Sequence, residues 1–470
     1  MSKKIIFSTV FFCLFLVCLK FPFTYTGDSP DTVKAVSKVT TTAAVSSDNP
    51  AANASQTPSS TVAPTVQAAP AQTQAQATVA PTVAPTATAK STPKATPTVE
   101  KERRAVWLSF IDLSQGGKAI VRNKSQFTKS IKSKFSKIKK MNMTDVVVHV
   151  RPCSDAFYNS KYFPTSYYIS GKQGKKVDYD PLEIMVKIAH KKGLKIEAWI
   201  NPYRVTLSST SFSSLSSDNP ARIWHNKSGK KRNVLVYGNQ IFYNPAKAEA
   251  RKLIINGAKE IVQNYDVDGI HMDDYFYPSL SSTAYSRQFD YIEYNNYVKK
   301  CKKNGESAKG IVAWRRNNVN KLVRGLYSAI KDIDSTVEFG ISPAGNIDNL
   351  IAKNMYYVDI EKWCNNTGFV DYIAPQIYWD FDYGRYSYDT LNKRWRELVD
   401  VSKVRLYSGI GVYRCCSPVY GQFAQTDILK KMVRYTRTIN AFSGFYFYSY
   451  NGLVSSQSKR QVKSMLTVLK

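Results

Sequence analysis

The stretch Asp268-Gly269-Ile270-His271-Met272-Asp273-Asp274-Tyr275-Phe276-Tyr277-Pro278 carries an apolar strand straight into paired carboxyls and aromatic rings. Strand alternation puts His271 and Asp273 on one face and Ile270 and Met272 on the other, where a covering helix can bury them. Such a strand end suits glycan chemistry, because sugar rings lay their C–H faces on Tyr and Trp while Asn, Gln, Arg and Asp take the hydroxyls. The chain holds 31 Tyr. Most are expected to cover the scaffold, but Tyr203, Tyr378 and Trp379 fall at strand ends.

Glycoside hydrolysis ordinarily uses two carboxyl groups, one ionised and one that delivers a proton to the leaving oxygen. Asp273 is the first expected member; Asp274 points the other way if the strand continues. The partner is open among Asp382, Asp380, Glu197 and Asp274. Asp382 is preferred, since the loop leaving the sixth strand can reach across a barrel mouth. Glu197 sits deeper and also reads as a structural counter-ion to Arg151 or His271. The expected catalytic residues are therefore Asp273, Asp382 and Asp274. The expected substrate contacts are Trp107, Arg151, Asn201, Tyr203, Arg204, His271, Tyr275, Gln376, Tyr378 and Trp379.

Positioning these residues requires a repeated scaffold. Short runs rich in Val, Ile, Tyr and Phe alternate with segments of helical period, as in βα units around a parallel sheet. The strands expected are Ala105–Phe110, Asp145–Arg151, Lys195–Asn201, Asp268–Asp273, Val337–Ser342, Tyr372–Trp379, Leu406–Tyr413 and Gly444–Ser449. Helices are expected near 124–141, 181–193, 246–264, 316–331, 350–364, 388–402, 424–438 and 455–469, with Asp180-Pro181 and Asn244-Pro245 as N-terminal signals. This pattern predicts an α/β fold, a (β/α)8 TIM barrel with insertions, whose chemistry sits where the strands end. The alternative, a doubly wound open sheet, would place a Gly-rich phosphate turn after the first strand, and the sequence has none there. Of two long insertions, 202–244 contains a hairpin pattern around Gly238-Asn239, and 275–315 is rich in Tyr. Both would build walls for an extended substrate.

The 470-residue chain has a net charge of +31 and is 43% hydrophobic, enough for a full core. The first hundred residues carry only +3 of that charge, so the basic surface belongs to the folded part. Residues 1–26 read as an export signal or membrane anchor: Lys3 and Lys4 precede an apolar run of about fifteen residues, short for a spanning helix. Residues 27–99 are Ala, Thr, Pro and Ser, a disordered linker that cannot bury a core. The folded domain is expected over 100–470, outside the cell, in the wall or on the outer face of the cytoplasmic membrane. Anionic wall polymers or a membrane surface are partners a basic domain would attract; nucleic acid is not expected, and the chain is read as a monomer. The seven Cys form no disulfide framework, and neither they nor the four His have metal-ligand spacing, so no metal and no cofactor are expected.

Several runs resemble, in collinear order over about residues 101–440, the bacterial glycosyl-hydrolase-like 10 family. They are Arg103-Arg104-Ala105-Val106-Trp107-Leu108, Ala198-Trp199-Ile200-Asn201-Pro202-Tyr203-Arg204-Val205, Asp266–Pro278, Trp314–Asn320, Ile341-Ser342-Pro343 and Pro375-Gln376-Ile377-Tyr378-Trp379. The resemblance implies a TIM-barrel glycoside hydrolase, exported or lipid-anchored, acting on peptidoglycan glycan strands stripped of their stem peptides. His271 and Asp273 also match the basic residue and nucleophile on the fourth strand of amylase-type barrels. No Glu ends the fifth strand, where Ser342 stands instead. That departure leaves retention or inversion open, and it carries a second expectation, a non-catalytic glycan-binding wall protein.

Overall fold

Parallel strands buried on both faces need side chains that fill two layers, and the sequence supplies both. In the computed structural model, which describes residues 101–417 and 421–470, ten strands occur among the described residues. They are β1 (Arg103–Leu108), β2 (Asp145–Arg151), β3 (Lys195–Ile200), β4 (Val234–Tyr237), β5 (Gln240–Tyr243), β6 (Gly269–Met272), β7 (Glu338–Ile341), β8 (Tyr372–Ile373), β9 (Arg405–Gly411) and β10 (Phe442–Tyr448). All but β4 and β5 close into an eight-stranded barrel in the order β1-β10-β9-β8-β7-β6-β3-β2, each pairing parallel. This is the expected TIM barrel. β4 and β5 form the separate antiparallel hairpin around Gly238-Asn239. The expected signal and linker lie outside the described residues. No helix among the described residues is long and apolar enough to cross a membrane.

The outward layer joins Val146, Val148, Ile196, Ile270, Met272 and Phe339 to helix faces such as Phe127, Ile131 and Phe135 of Lys124–Lys140 and Ile254, Ala258 and Ile261 of Ala248–Asn264. The inward layer is a separate aromatic cluster: Trp107, Trp199, Tyr372, Tyr407 and Tyr446, with Ala105, Val147 and Ala374. Gly340 makes room for it, since any side chain there would overlap the Tyr372 ring. β8 is short because Pro375 has no N–H to give; the pairing resumes at Gln376, which bridges Ala344 and Gly409.

Helix boundaries differ from the sequence reading where tertiary contacts intervene. Asp180 caps its helix as expected, accepting from the N–H groups of Leu182 and Glu183, with Pro181 at the first position. Asn244 is not the helix cap, since the helix starts at Ala248; its side-chain oxygen accepts the Ala246 N–H at 3.0 Å in the preceding turn, and its amide donates to the Arg232 carbonyl. The expected helix over 350–364 is two short ones, Ile347–Ile351 and Ile360–Asn365. Tyr291–Lys303, inside the second insertion, is a further helix. That insertion is fastened by a buried ion pair, Arg315 Nε to Asp290 Oδ1 at 2.7 Å.

The floor of the barrel is ionic. Arg103 places Nε 3.2 Å from Asp145, Nη1 3.2 Å from Glu197 and Nη2 2.7 Å from Glu338. The counter-ion of Glu197 is therefore Arg103 and not Arg151. Arg151 is turned outward by a register shift between His149 and Arg151, and its guanidinium lies 4.5 Å over Phe163. Truncating one member of a buried charge network leaves the others unpaired. Arg103→Met is accordingly expected to destabilise the fold by about 3–5 kcal/mol, read by urea denaturation. A loss below about 1 kcal/mol would mean that these carboxyls do not depend on Arg103.

Candidate active site

Asp273 is the first residue past β6, at the C-terminal mouth of the barrel, and is 3% exposed. Its carboxyl accepts Trp199 Nε1–H at 3.1 Å and Asn201 Nδ2–H at 3.0 and 3.2 Å. The other end of the Asn201 amide accepts the Arg204 backbone N–H at 3.1 Å, which fixes the amide's orientation. Arg204 in turn donates through Nε and Nη2 to the Pro152 carbonyl at 3.1 and 3.0 Å and lies 4.6 Å over the Tyr275 ring. The hairpin braces this segment: Val205 N–H reaches the Ile241 carbonyl at 2.9 Å, and Tyr243 N–H the Tyr203 carbonyl at 2.8 Å. Tyr203 itself is wholly buried in the outward layer, away from the mouth.

Asp274 does not follow the strand's alternation, because the strand has ended. β6 stops at Met272, and the Phe276 N–H closes a tight turn on the Asp274 carbonyl at 3.0 Å. The Asp274 side chain, 8% exposed, thereby lies beside Asp273 with Gln376 against it and Tyr356 and Tyr378 near it. Gln376 is held by its own donation to the Ser342 carbonyl at 3.0 Å. Burial and the neighbouring Asp273 push Asp274 up to about 7. Burial raises Asp273 too, but Arg204 and the Trp199 and Asn201 donors oppose it. Adjacent carboxyls that cannot both ionise freely divide by environment. Asp273, with the donors and the cation, is the better placed of the two to carry the charge, and Asp274 to keep the proton.

Beneath them runs a hydrogen-bonded column. Trp107 Nε1–H reaches His271 Nε2 at 3.0 Å, and His271 Nδ1 meets the Tyr372 hydroxyl at 2.8 Å. The Tyr372 hydroxyl donates to Glu197, which also accepts from Tyr446 at 3.0 Å. An indole can only donate, so His271 Nε2 must accept and Nδ1 must carry the proton. His271 is fully buried with both ring nitrogens engaged, which makes it a positioning residue under the site. Burial, then the Arg103 charge, lowers it to about 3. Nitrogen-15 NMR of the ring should show the Nδ1–H tautomer without titration between about pH 5 and 8; a midpoint inside that window would break the column. An unfolded His binds a proton below about pH 6.5. The stability held by neutral His271 is thus complete above that pH and falls as pH drops toward about 3.

An aromatic wall completes the mouth. Tyr378 stacks on Tyr448 at 5.8 Å, Tyr413 meets both edge-on at 5.8 Å, and Trp107 lies 6.1 Å from Tyr448. Trp379 faces Tyr383, and Tyr275 is 39% exposed at the rim. The structure thus brings Asn201, Arg204, Asp273, Asp274, Tyr275, Gln376 and Tyr378 together over the buried Trp107, and turns Arg151 and Tyr203 into the outward layer. Asp382 is exposed and bonded to Gln422, while Asp380 accepts the backbone N–H groups of Asp382 and Gln422, both at 3.1 Å, and so holds its own loop. Glu197 is locked beneath the floor.

Sequence reasoning did not single out Trp199 and Tyr448 as site residues, although strand parity and strand-end position could have done so. It also passed over His149, whose ring stacks on Trp199 at 3.7 Å and stays neutral because burial lowers its pKa well below 6.5. Tyr356 had no sequence signal. It and Tyr357 occupy the left-handed region at φ +51° and +55°, a conformation that costs a bulky residue about 1–3 kcal/mol and holds the turn that sets Tyr356 near Asp274.

The sequence profile of the family described as Glycosyl hydrolase-like 10 matches residues 102–425. Glycosyl hydrolase YngK of Bacillus subtilis (strain 168) is 34% identical over 375 residues, covering 75% of this chain and 69% of YngK. Glycosyl hydrolase DigH of Escherichia coli (strain K12) is 33% identical over 302 residues, covering 61% of this chain and 66% of DigH. The catalytic domain of β-amylase from Paenibacillus polymyxa superposes with a TM-score of 0.51 at 12% identity, over 79% of this chain and 99% of that one. That likeness speaks to the barrel alone.

Proposed function

The chain belongs to the Glycosyl hydrolase-like 10 family, and on that premise we propose that it is a glycoside hydrolase that cuts peptide-stripped cell-wall glycan strands. The observation that carries the reading is the Asp273–Asp274 pair, two buried carboxyls at the mouth whose surroundings hold one charged and one protonated. Asp274 is the proton donor to the leaving oxygen, and Asp273 stabilises the positive charge that develops at the sugar. Gln376 and Asn201 position the two acids. Tyr378 and Tyr448, half-buried over the buried Trp107, form the surface on which a sugar ring packs.

The wall is favoured as the site of action by the export-type N-terminus, the Ala/Thr/Pro-rich tether and the net charge of +31, which would draw the domain to anionic wall polymers. The protein acts there as an exported monomer, with the glycan as substrate and nucleic acid not among its partners. Incubating the full chain with peptidoglycan freed of its peptides should release short oligosaccharides. If the folded protein generates new reducing ends neither from that glycan nor from a broad polysaccharide panel, hydrolysis is excluded.

One observation favours a second reading, a non-catalytic glycan-binding protein. β7 leads into Ser342, whose N–H is spent on the Met272 carbonyl at 2.8 Å, so that no carboxyl stands beside Asp273 on the neighbouring strand end. A pure binder would retain glycan without turning it over.

A further inference from the structure

Two-carboxyl glycosidases flank the scissile bond, the pair standing about 5–5.5 Å apart for retention or 6.5–9.5 Å for inversion, with one group on the far face of the sugar. Asp273 and Asp274 are consecutive, their Cα atoms about 3.8 Å apart, so both approach from the one strand end that carries them. Other buried carboxyls of the barrel are engaged by donors of their own; Asp155, past β2, accepts through Oδ2 from the Tyr167 N–H and the Gln173 amide, both at 3.3 Å. Glu197 lies under the Trp107–His271 floor, bound by Arg103, Tyr372 and Tyr446. Asp112 accepts from the Ser109 N–H and hydroxyl, the Ser449 hydroxyl and the Asn451 N–H. Asp380 holds its own loop. Each of these carboxyls is held by donors of its own, whereas Asp273 and Asp274 stand together at one strand end and approach a bound sugar from one side.

We propose, resting on the reading above, that the nucleophile is the carbonyl oxygen of the substrate's own 2-acetamido group, and that the enzyme is specific for β-linked 2-acetamido-2-deoxy sugars. A β-linked leaving group and an equatorial 2-acetamido group place that oxygen on the face opposite the bond to be broken. Asp274 gives its proton to the glycosidic oxygen as the C1–O bond breaks, and the acetamido oxygen forms its bond to C1, closing an oxazolinium ring. Its N–H turns acidic, and the Asp273 carboxylate accepts it; a carboxylate has about four lone-pair sites, so capacity remains beside Trp199 and Asn201. Asp274, now ionised, takes a proton from a water that attacks C1, Asp273 returns its proton to the ring nitrogen as the ring opens to restore the acetamide, and the product keeps the β configuration. The sum is one glycoside and one water giving two sugars.

The test uses one wall glycan, peptide-stripped and N-deacetylated, then re-acylated with acetyl, fluoroacetyl, difluoroacetyl or trifluoroacetyl groups. These differ little in size but progressively weaken the carbonyl nucleophile. For the full chain, kcat should fall across the series by on the order of a hundredfold or more. A methyl thiazoline analogue of N-acetylglucosamine, which mimics the oxazolinium, should bind, and Asp273→Asn should abolish that binding. Cleavage that stays within about threefold across the series, with no thiazoline binding, overturns the inference and leaves glycan hydrolysis standing. Thiazoline binding lost in Asp273→Asn, without cleavage of any glycan, supports the acetamido pocket and overturns hydrolysis of this polymer. Neither binding nor cleavage overturns both.

Discussion

Asp274→Asn should lower kcat on peptide-stripped wall glycan by about a thousandfold while KM stays within about twofold. An amide cannot deliver the proton, yet it keeps the shape of the side chain between Gln376 and Asp273. The wild-type pH profile provides an independent readout. The acid works only while protonated, and Asp274 lies at about 7, so kcat/KM should fall tenfold per unit above that pH. This alkaline limb should vanish in the variant. A substrate with an activated aryl leaving group, which needs little protonation to depart, should recover much of the lost rate. Retention of more than about a tenth of the activity, or survival of the alkaline limb, would show that the acid is another group.

Asp273→Asn should be at least as damaging, about a thousand- to ten-thousandfold in turnover, because it removes the charge that stabilises the developing cation. It should also move the neighbouring acid. Asp273 is, after burial, the largest cause of the raised Asp274 pKa, so neutralising it lowers that pKa and shifts the remaining alkaline limb to lower pH. Glycan retention on a pull-down should persist, since the half-buried Tyr378 and Tyr448 are untouched. This variant also separates the two functional readings. A hydrolase loses its turnover, whereas a binding protein has none to lose. Far-ultraviolet circular dichroism should match wild type, because Asn can still accept from Trp199 or Asn201.

What the sequence determined by itself was local. Two-residue alternation separated His271 and Asp273 from Ile270 and Met272, and set Glu197, Trp199 and Asn201 inward together, because side-chain direction along a strand depends only on the backbone of that strand. Eight apolar runs between helical segments gave the barrel, and the strand ends gave Asn201, Arg204, Asp273, Gln376 and Tyr378. Whether a strand continues is not local. Asp274 enters the mouth because β6 stops at Met272, and Arg151 leaves it because the pairing of β2 with β3 slips after His149. Both depend on which neighbour offers the next hydrogen bond. The partner of Glu197 proved to be Arg103, 94 residues away, and Tyr372, 175 residues away, while Asp382 was spent on Gln422 in the solvent. Charges that meet across a closed barrel are brought there by the closure, which orders residues by strand neighbour and not by distance along the chain. That is why the place of Asp273 at a strand end could be read from the sequence, and why the turn that sets Asp274 beside it required the tertiary structure.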